Sequence, residues 1–120
     1  TGLGDNSKEK LLMSISLKLP EKLNQLLDER VVKEGYGLRG KSRWIKKAII
    51  TLLELADFSE LTYLSQEQDN MNKQASARIP RKLVLEIERA TIEIRKIYPD
   101  LDGVKSKIIR TAIMQRLIRT

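Results

Sequence analysis

The stretch Gly35-Tyr36-Gly37-Leu38-Arg39-Gly40-Lys41-Ser42 has the residue types and spacing of a phosphate-binding loop. It contains G-x-G-x-x-G, and as a whole it satisfies G-x-x-x-x-G-K-S. Such a loop binds nucleotides only when a buried strand of a parallel sheet runs straight into the glycines. Here the preceding residues, Leu27 to Glu34, are charged and helical in period. No later apolar run ends in an aspartate that would hold magnesium, since Leu52 to Asp57 is interrupted by Glu54. A P-loop nucleotide-binding protein is therefore a remote alternative. What remains is general: a glycine turn into a helix N-terminus exposes backbone N–H groups that bind phosphate. A second stretch, Asp100-Leu101-Asp102-Gly103-Val104-Lys105-Ser106, keeps only the Lys-Ser.

Two further stretches alternate strictly. In Ser14-Ile15-Ser16-Leu17-Lys18-Leu19, the apolar Ile15, Leu17 and Leu19 share one face, and Ser14, Ser16 and Lys18 the other. Gln74-Ala75-Ser76-Ala77-Arg78-Ile79 repeats the pattern with Gln74, Ser76 and Arg78 outward. Side chains of a strand repeat every two residues, so each stretch reads as a short strand with one dry and one wet face. Two isolated strands can satisfy their backbone groups by pairing with each other.

Other chemistry is limited by composition. The 120 residues contain no histidine and no cysteine. That removes imidazole bases, thiolate chemistry, disulfides and the usual zinc sites. No cofactor is implied, and the chain is not expected to be an enzyme. Lys plus Arg number 23 against 16 Asp plus Glu, a net charge of +7, which favours a polyanionic partner. The lack of cysteine fits the cytoplasm. No apolar run approaches the roughly 20 residues of a membrane span, so no membrane role is expected.

The elements that would position these residues are helices. Pro20 opens a helix to about Glu34, with Leu23, Leu26, Leu27 and Val31 on one face. A second helix is expected from Lys41 to about Ala56, striped by Ile45, Ala48, Ile49, Leu52 and Ala56, with Trp44 beside the stripe as a packing residue. A third, about 81–97, carries Leu83, Ile87, Ala90, Ile94 and Ile97, and a fourth, about 105–119, carries Ile109, Ala112, Ile113 and Leu117. Residues 1–10 read as a flexible arm, either a plain chain end or a basic tip whose Lys8 and Lys10 touch phosphate. Residues 57–70 read as an acidic linker facing away from a polyanion. Surface charges such as Arg116 and Arg119 are expected to be solvated.

The chain repeats itself. Pro20, Leu23 and Leu27 match Pro80, Leu83 and Ile87 at an offset of 60. Lys41-Ser42, Ile45, Ala48-Ile49 and Leu53 match Lys105-Ser106, Ile109, Ala112-Ile113 and Leu117 at an offset of 64. Each half reads strand, helix, helix, and neither is large enough to bury its apolar faces alone. The units are 11–56 and 71–120, sharing one core.

This order of an alternating strand, Leu-Pro or Ile-Pro, an amphipathic helix, a glycine-containing turn and Lys-Ser opening a second helix resembles the ribbon-helix-helix DNA-binding family. The resemblance covers about 11–56 and 71–119. It implies a mostly α fold with a two-stranded antiparallel ribbon, arranged as a tandem intramolecular pseudo-dimer. Some plasmid-conjugation accessory proteins share this plan, and most relatives are repressors. The family's ribbon enters the major groove, so the resemblance assigns base contacts to Ser14, Ser16, Lys18, Gln74, Ser76 and Arg78. It assigns phosphate contacts to Gly40, Lys41, Ser42, Arg43, Lys105, Ser106 and Lys107. Ala75 and Ala77 depart from the bulky inward pattern and suggest looser packing there. The implied partner is double-stranded DNA, with further copies of the protein along it. The alternative is an antitoxin-like protein-interaction module.

Overall fold

A computed structural model describes residues 11–37, 40–65, 71 and 73–119. The expected arm, the Glu67 and Asp69 of the linker, and Leu38-Arg39 of the glycine stretch lie outside the described residues. Two strands, β1 (Leu12–Leu19) and β2 (Lys73–Pro80), pair with each other in an antiparallel ribbon. Five helices surround it among the described residues: α1 (Glu21–Lys33), α2 (Lys41–Leu53), α3 (Phe58–Leu64), α4 (Arg81–Ile97) and α5 (Val104–Arg119). No helix is long and apolar enough to cross a membrane among these residues.

Each strand turns into its helix at a proline. Pro20 and Pro80 hold φ at −60° with extended ψ, so the chain leaves the ribbon and enters α1 or α4 without a loop. The Arg81 N–H donates to the Leu11 carbonyl at 3.2 Å, which extends the ribbon by one bond. After α1 the chain reverses through Gly35 (φ +83°) and Gly37 (φ +71°), backbone conformations in which a Cβ would be strained.

The core lies between the inner face of the ribbon and the helices. Leu17, Leu19, Ala75, Ala77 and Ile79 are buried on the ribbon side. Trp44, Ile45, Ala48, Ile49 and Leu52 of α2 meet Ile108, Ile109, Ala112 and Ile113 of α5. Leu27 and Val31 close one side, and Leu83, Ile87, Ala90 and Ile94 the other. Trp44 is fully buried, as its packing role required.

The two alanines of β2 do not loosen the ribbon. They are 3% and 2% exposed, and the register sets Ala75 opposite Leu17 and Ala77 opposite Ile15. One strand supplies the bulk at the middle of the inner face and the other supplies the space, so large and small side chains interdigitate. Two other expectations need revision. α2 ends at Leu53, not Ala56. The segment read as a linker contains a helix of its own, Phe58–Leu64. Phe58 and Leu61 pack on the core, and Tyr63 stacks on Tyr98 with ring centroids 4.0 Å apart and 9° between planes. These contacts hold α3 against α4 and α5.

Candidate nucleic-acid interface

The outer face of the ribbon carries the six alternating polar residues, and all six are exposed. The register aligns them as three cross-strand pairs: Ser14 opposite Arg78, Ser16 opposite Ser76, and Lys18 opposite Gln74. A cation stands at each end of this face, on opposite strands, and two hydroxyls stand at the centre. Each pair offers at least one hydrogen-bond donor, and Gln74 and the serines also accept. Nothing apolar interrupts the row between Ser14 and Lys18.

Helix N-termini flank the ribbon, and each belongs to the opposite half of the sequence. Ser42, in the first turn of α2, accepts a hydrogen bond at Oγ from the Arg78 N–H of β2 at 3.0 Å. Arg110 of α5 reaches the Lys18 carbonyl of β1 at 3.5 Å. An outward edge N–H of the ribbon is thus satisfied by the helix beside it, which a free ribbon edge would leave unpaired. Neither α2 nor α5 carries an acidic residue in its first turn. Both present the positive end of the helix dipole beside the ribbon.

The residues expected to hold phosphate divide into groups. Arg43 and Lys105 are exposed, and Lys41, Ser42 and Ser106 are half-buried. Gly40 is buried, and its N–H donates to the Gly37 carbonyl at 3.0 Å, so that N–H is not presented to a ligand. Its missing Cβ has a packing reason, because a Cβ there would stand 2.6 Å from the Tyr36 Cβ. Lys107 is only 6% exposed and is covered rather than displayed.

Both helix-opening lysines already have carboxylate partners. Lys41 Nζ lies 2.9 Å from Asp28 Oδ1 and donates to Asn24 Oδ1 at 3.4 Å. Lys105 Nζ pairs with Glu88. Asp28 and Glu88 are equivalent at the offset of 60, and Lys41 and Lys105 at 64, so the same tie between first and second helix occurs in both halves. These pairs are half-exposed and contribute only about 0.2–1 kcal/mol each.

A concavity of about 560 Å³ opens where the end of the ribbon meets the start of α5. Lys18, Ser106 and Arg110 bring donors to it, and its lining also includes Lys107, Asp102, Gly103, Leu101 and Met71. Arg110 was not among the residues expected here. It stands one helical turn after Ser106, a spacing that places both on one face of α5.

The glycine stretch is held by a polar cluster that only the folded chain assembles. Arg116 of α5 donates to Glu34 Oε1 and to the Tyr36 hydroxyl at 3.2 Å each, and to the Trp44 carbonyl at 3.1 Å. Its guanidinium stands 4.7 Å from the Trp44 ring centroid, and Trp44 Nε1 donates to Glu34 Oε1 at 3.1 Å. Arg116 is therefore packed and paired, not solvated as its sequence context suggested. Glu34 Oε2 is buried without a hydrogen bond, but lies 3.8 Å from the Arg30 guanidinium, near enough for charge balance. Hydrogen bonds from Lys47 and Arg116 hold the Tyr36 phenol below the usual tyrosine pKa. The loop thus connects two helices and is braced from α5. The strand that a nucleotide-binding loop requires is replaced by α1.

Compared with family models, with curated proteins and with solved structures, the chain matches none.

Proposed function

We propose that this protein is a tandem ribbon-helix-helix protein that binds double-stranded DNA sequence-specifically through the major groove, and that it is not an enzyme. The carrying observation is the ribbon register. It pairs Ser16 with Ser76, its own equivalent at the offset of 60, so equivalent polar positions fall symmetrically about the ribbon centre. That is the arrangement expected when two similar units pair strand to strand on an approximate two-fold axis. The repeated Lys41–Asp28 and Lys105–Glu88 ties support the same reading.

In this reading a two-stranded ribbon fits the major groove. Arg78 and Lys18 suit guanine O6 and N7, Gln74 suits adenine N6 and N7, and the serines accept or donate. The N-termini of α2 and α5, with Arg43, Ser106 and Arg110, sit on phosphates and fix the register, while the ribbon specifies. The halves differ at the ends of the reading face, where Ser14 and Lys18 correspond to Gln74 and Arg78. The preferred site is therefore asymmetric. A protein of this kind acts in the cytoplasm, as a transcriptional repressor or as a plasmid or mobile-element accessory factor in conjugation or maintenance.

Selection of bound duplexes from a random pool tests the proposal. It predicts enrichment of one asymmetric duplex motif, with binding that weakens linearly in log salt. Enrichment of no motif, or equal affinity for all duplexes, would remove the sequence-reading role.

A further inference from the structure

The outer faces of α1 and α4 are equivalent in the repeat but opposite in charge. On α1, Glu21, Gln25, Glu29 and Val32 fall on one exposed face. On α4 the positions sixty residues on are Arg81, Leu85, Arg89 and Ile92, also exposed. The spacing of i, i+4, i+8 and i+11 keeps each set within one side of its helix. Val32, Leu85 and Ile92 are each more than half exposed, at 54%, 54% and 58%. None of the four charged side chains makes an ion pair or hydrogen bond with a described residue. Of the flanking charges, Lys33 and Glu93 are reversed in the opposite sense, base on α1 and acid on α4, while Lys22 and Lys82 agree.

We infer that the α4 face docks on the α1 face of a second copy of this chain, head to tail. The charges select this pairing over the alternatives. Two α1 faces would oppose glutamates, and two α4 faces would oppose arginines. Only unlike faces bring Glu21 and Glu29 toward Arg81 and Arg89 around an apolar centre of Val32, Leu85 and Ile92. α1 packs internally against α2, α5 and β2, and α4 against α3, α5 and both strands, while the residues of the two outer faces stay exposed. A contact between two different patches leaves one of each unfilled after two copies pair, so it grows past a dimer into a row or a ring. This inference does not rest on DNA binding.

A charge-exchange experiment on the full chain tests it. Sedimentation velocity in low salt, without DNA, is expected to show concentration-dependent association of the natural protein that falls as salt rises. R81E/R89E carries acid on both faces and E21R/E29R carries base on both. Each alone is expected to lose about tenfold in association constant, the size of two exposed pairs. An equimolar mixture of the two, and the fourfold exchange E21R/E29R/R81E/R89E, are expected to recover it. Unchanged melting curves would show that the exposed substitutions leave the fold intact. A natural protein that stays monomeric at millimolar concentration in low salt would overturn the inference, as would association indifferent to the exchanges. Association without any duplex preference would uphold it while removing the DNA reading.

Discussion

Replacing Arg116 by methionine isolates the contribution of the polar brace. Methionine keeps an unbranched stem against Trp44 and removes the guanidinium. The side chains of Arg116 and Glu34 are 18% and 23% exposed, so their pairing lies between two known limits. An exposed ion pair contributes about 0–1 kcal/mol, and removing one partner of a fully buried pair costs about 3–5 kcal/mol. Arg116 also donates to Tyr36 and to the Trp44 carbonyl and lies over the Trp44 ring, the last worth about 0.5–1 kcal/mol at a partly exposed site. The expected loss is about 2–3 kcal/mol, or a drop in Tm of about 10 °C for a chain of this length. Urea unfolding followed by fluorescence measures it, with the single tryptophan, Trp44, as the probe inside the cluster. A double-mutant cycle with Glu34→Gln is expected to give a coupling of about 1–2 kcal/mol. A loss below about 0.5 kcal/mol, with no coupling, would mean that water screens the cluster and that Arg116 does not brace the loop.

Three other outcomes follow from the same geometry. Gly40→Ala forces a Cβ against that of Tyr36, whose own position is tied to the backbone, and is expected to destabilise by about 1–3 kcal/mol in urea unfolding. Tyr36 is expected to ionise at lower pH than an ordinary tyrosine. Because its folded pKa is lowered, the stabilisation appears only as pH climbs through the folded value toward the unfolded one, and it is absent at neutral pH. Tyrosinate absorbance should lose its earliest-titrating component in Tyr36→Phe. Asp28→Asn releases Lys41 from its carboxylate and is expected to steepen the salt dependence of duplex binding by up to about one unit, whereas Lys41→Ala weakens all duplexes alike.

The strands, four of the five helices and most inward positions are legible because each rests on a local period, although Leu26, Ala56 and Ile97, which the period places inward, are exposed. Alternation at Ser14 to Leu19 and at Gln74 to Ile79 could be read without knowing what the strands paired with. Partnerships across the chain were not legible. Nothing near Arg116 in sequence announces Glu34, Tyr36 or Trp44, which lie more than seventy residues away in the chain. The same holds for Ser42, whose hydroxyl serves the Arg78 N–H. The α3 helix was missed because its seven residues are too few to establish a period, and its anchor, the Tyr63–Tyr98 stack, is tertiary. Gly40 fits a phosphate-binding pattern because a tight approach of backbone to ligand and one of backbone to Tyr36 leave the same mark in a sequence. Arg110 carried a usable signal in its i+4 spacing from Ser106.

The proposed reading role of the ribbon is tested most directly by the base preference of Arg78→Ala, measured on the selected duplex and on its single-base variants at fixed salt. Loss of about 1–3 kcal/mol on the selected duplex, with preference relaxed at one base position and retained at the others, is the predicted result. An unchanged ranking of the duplexes would contradict it.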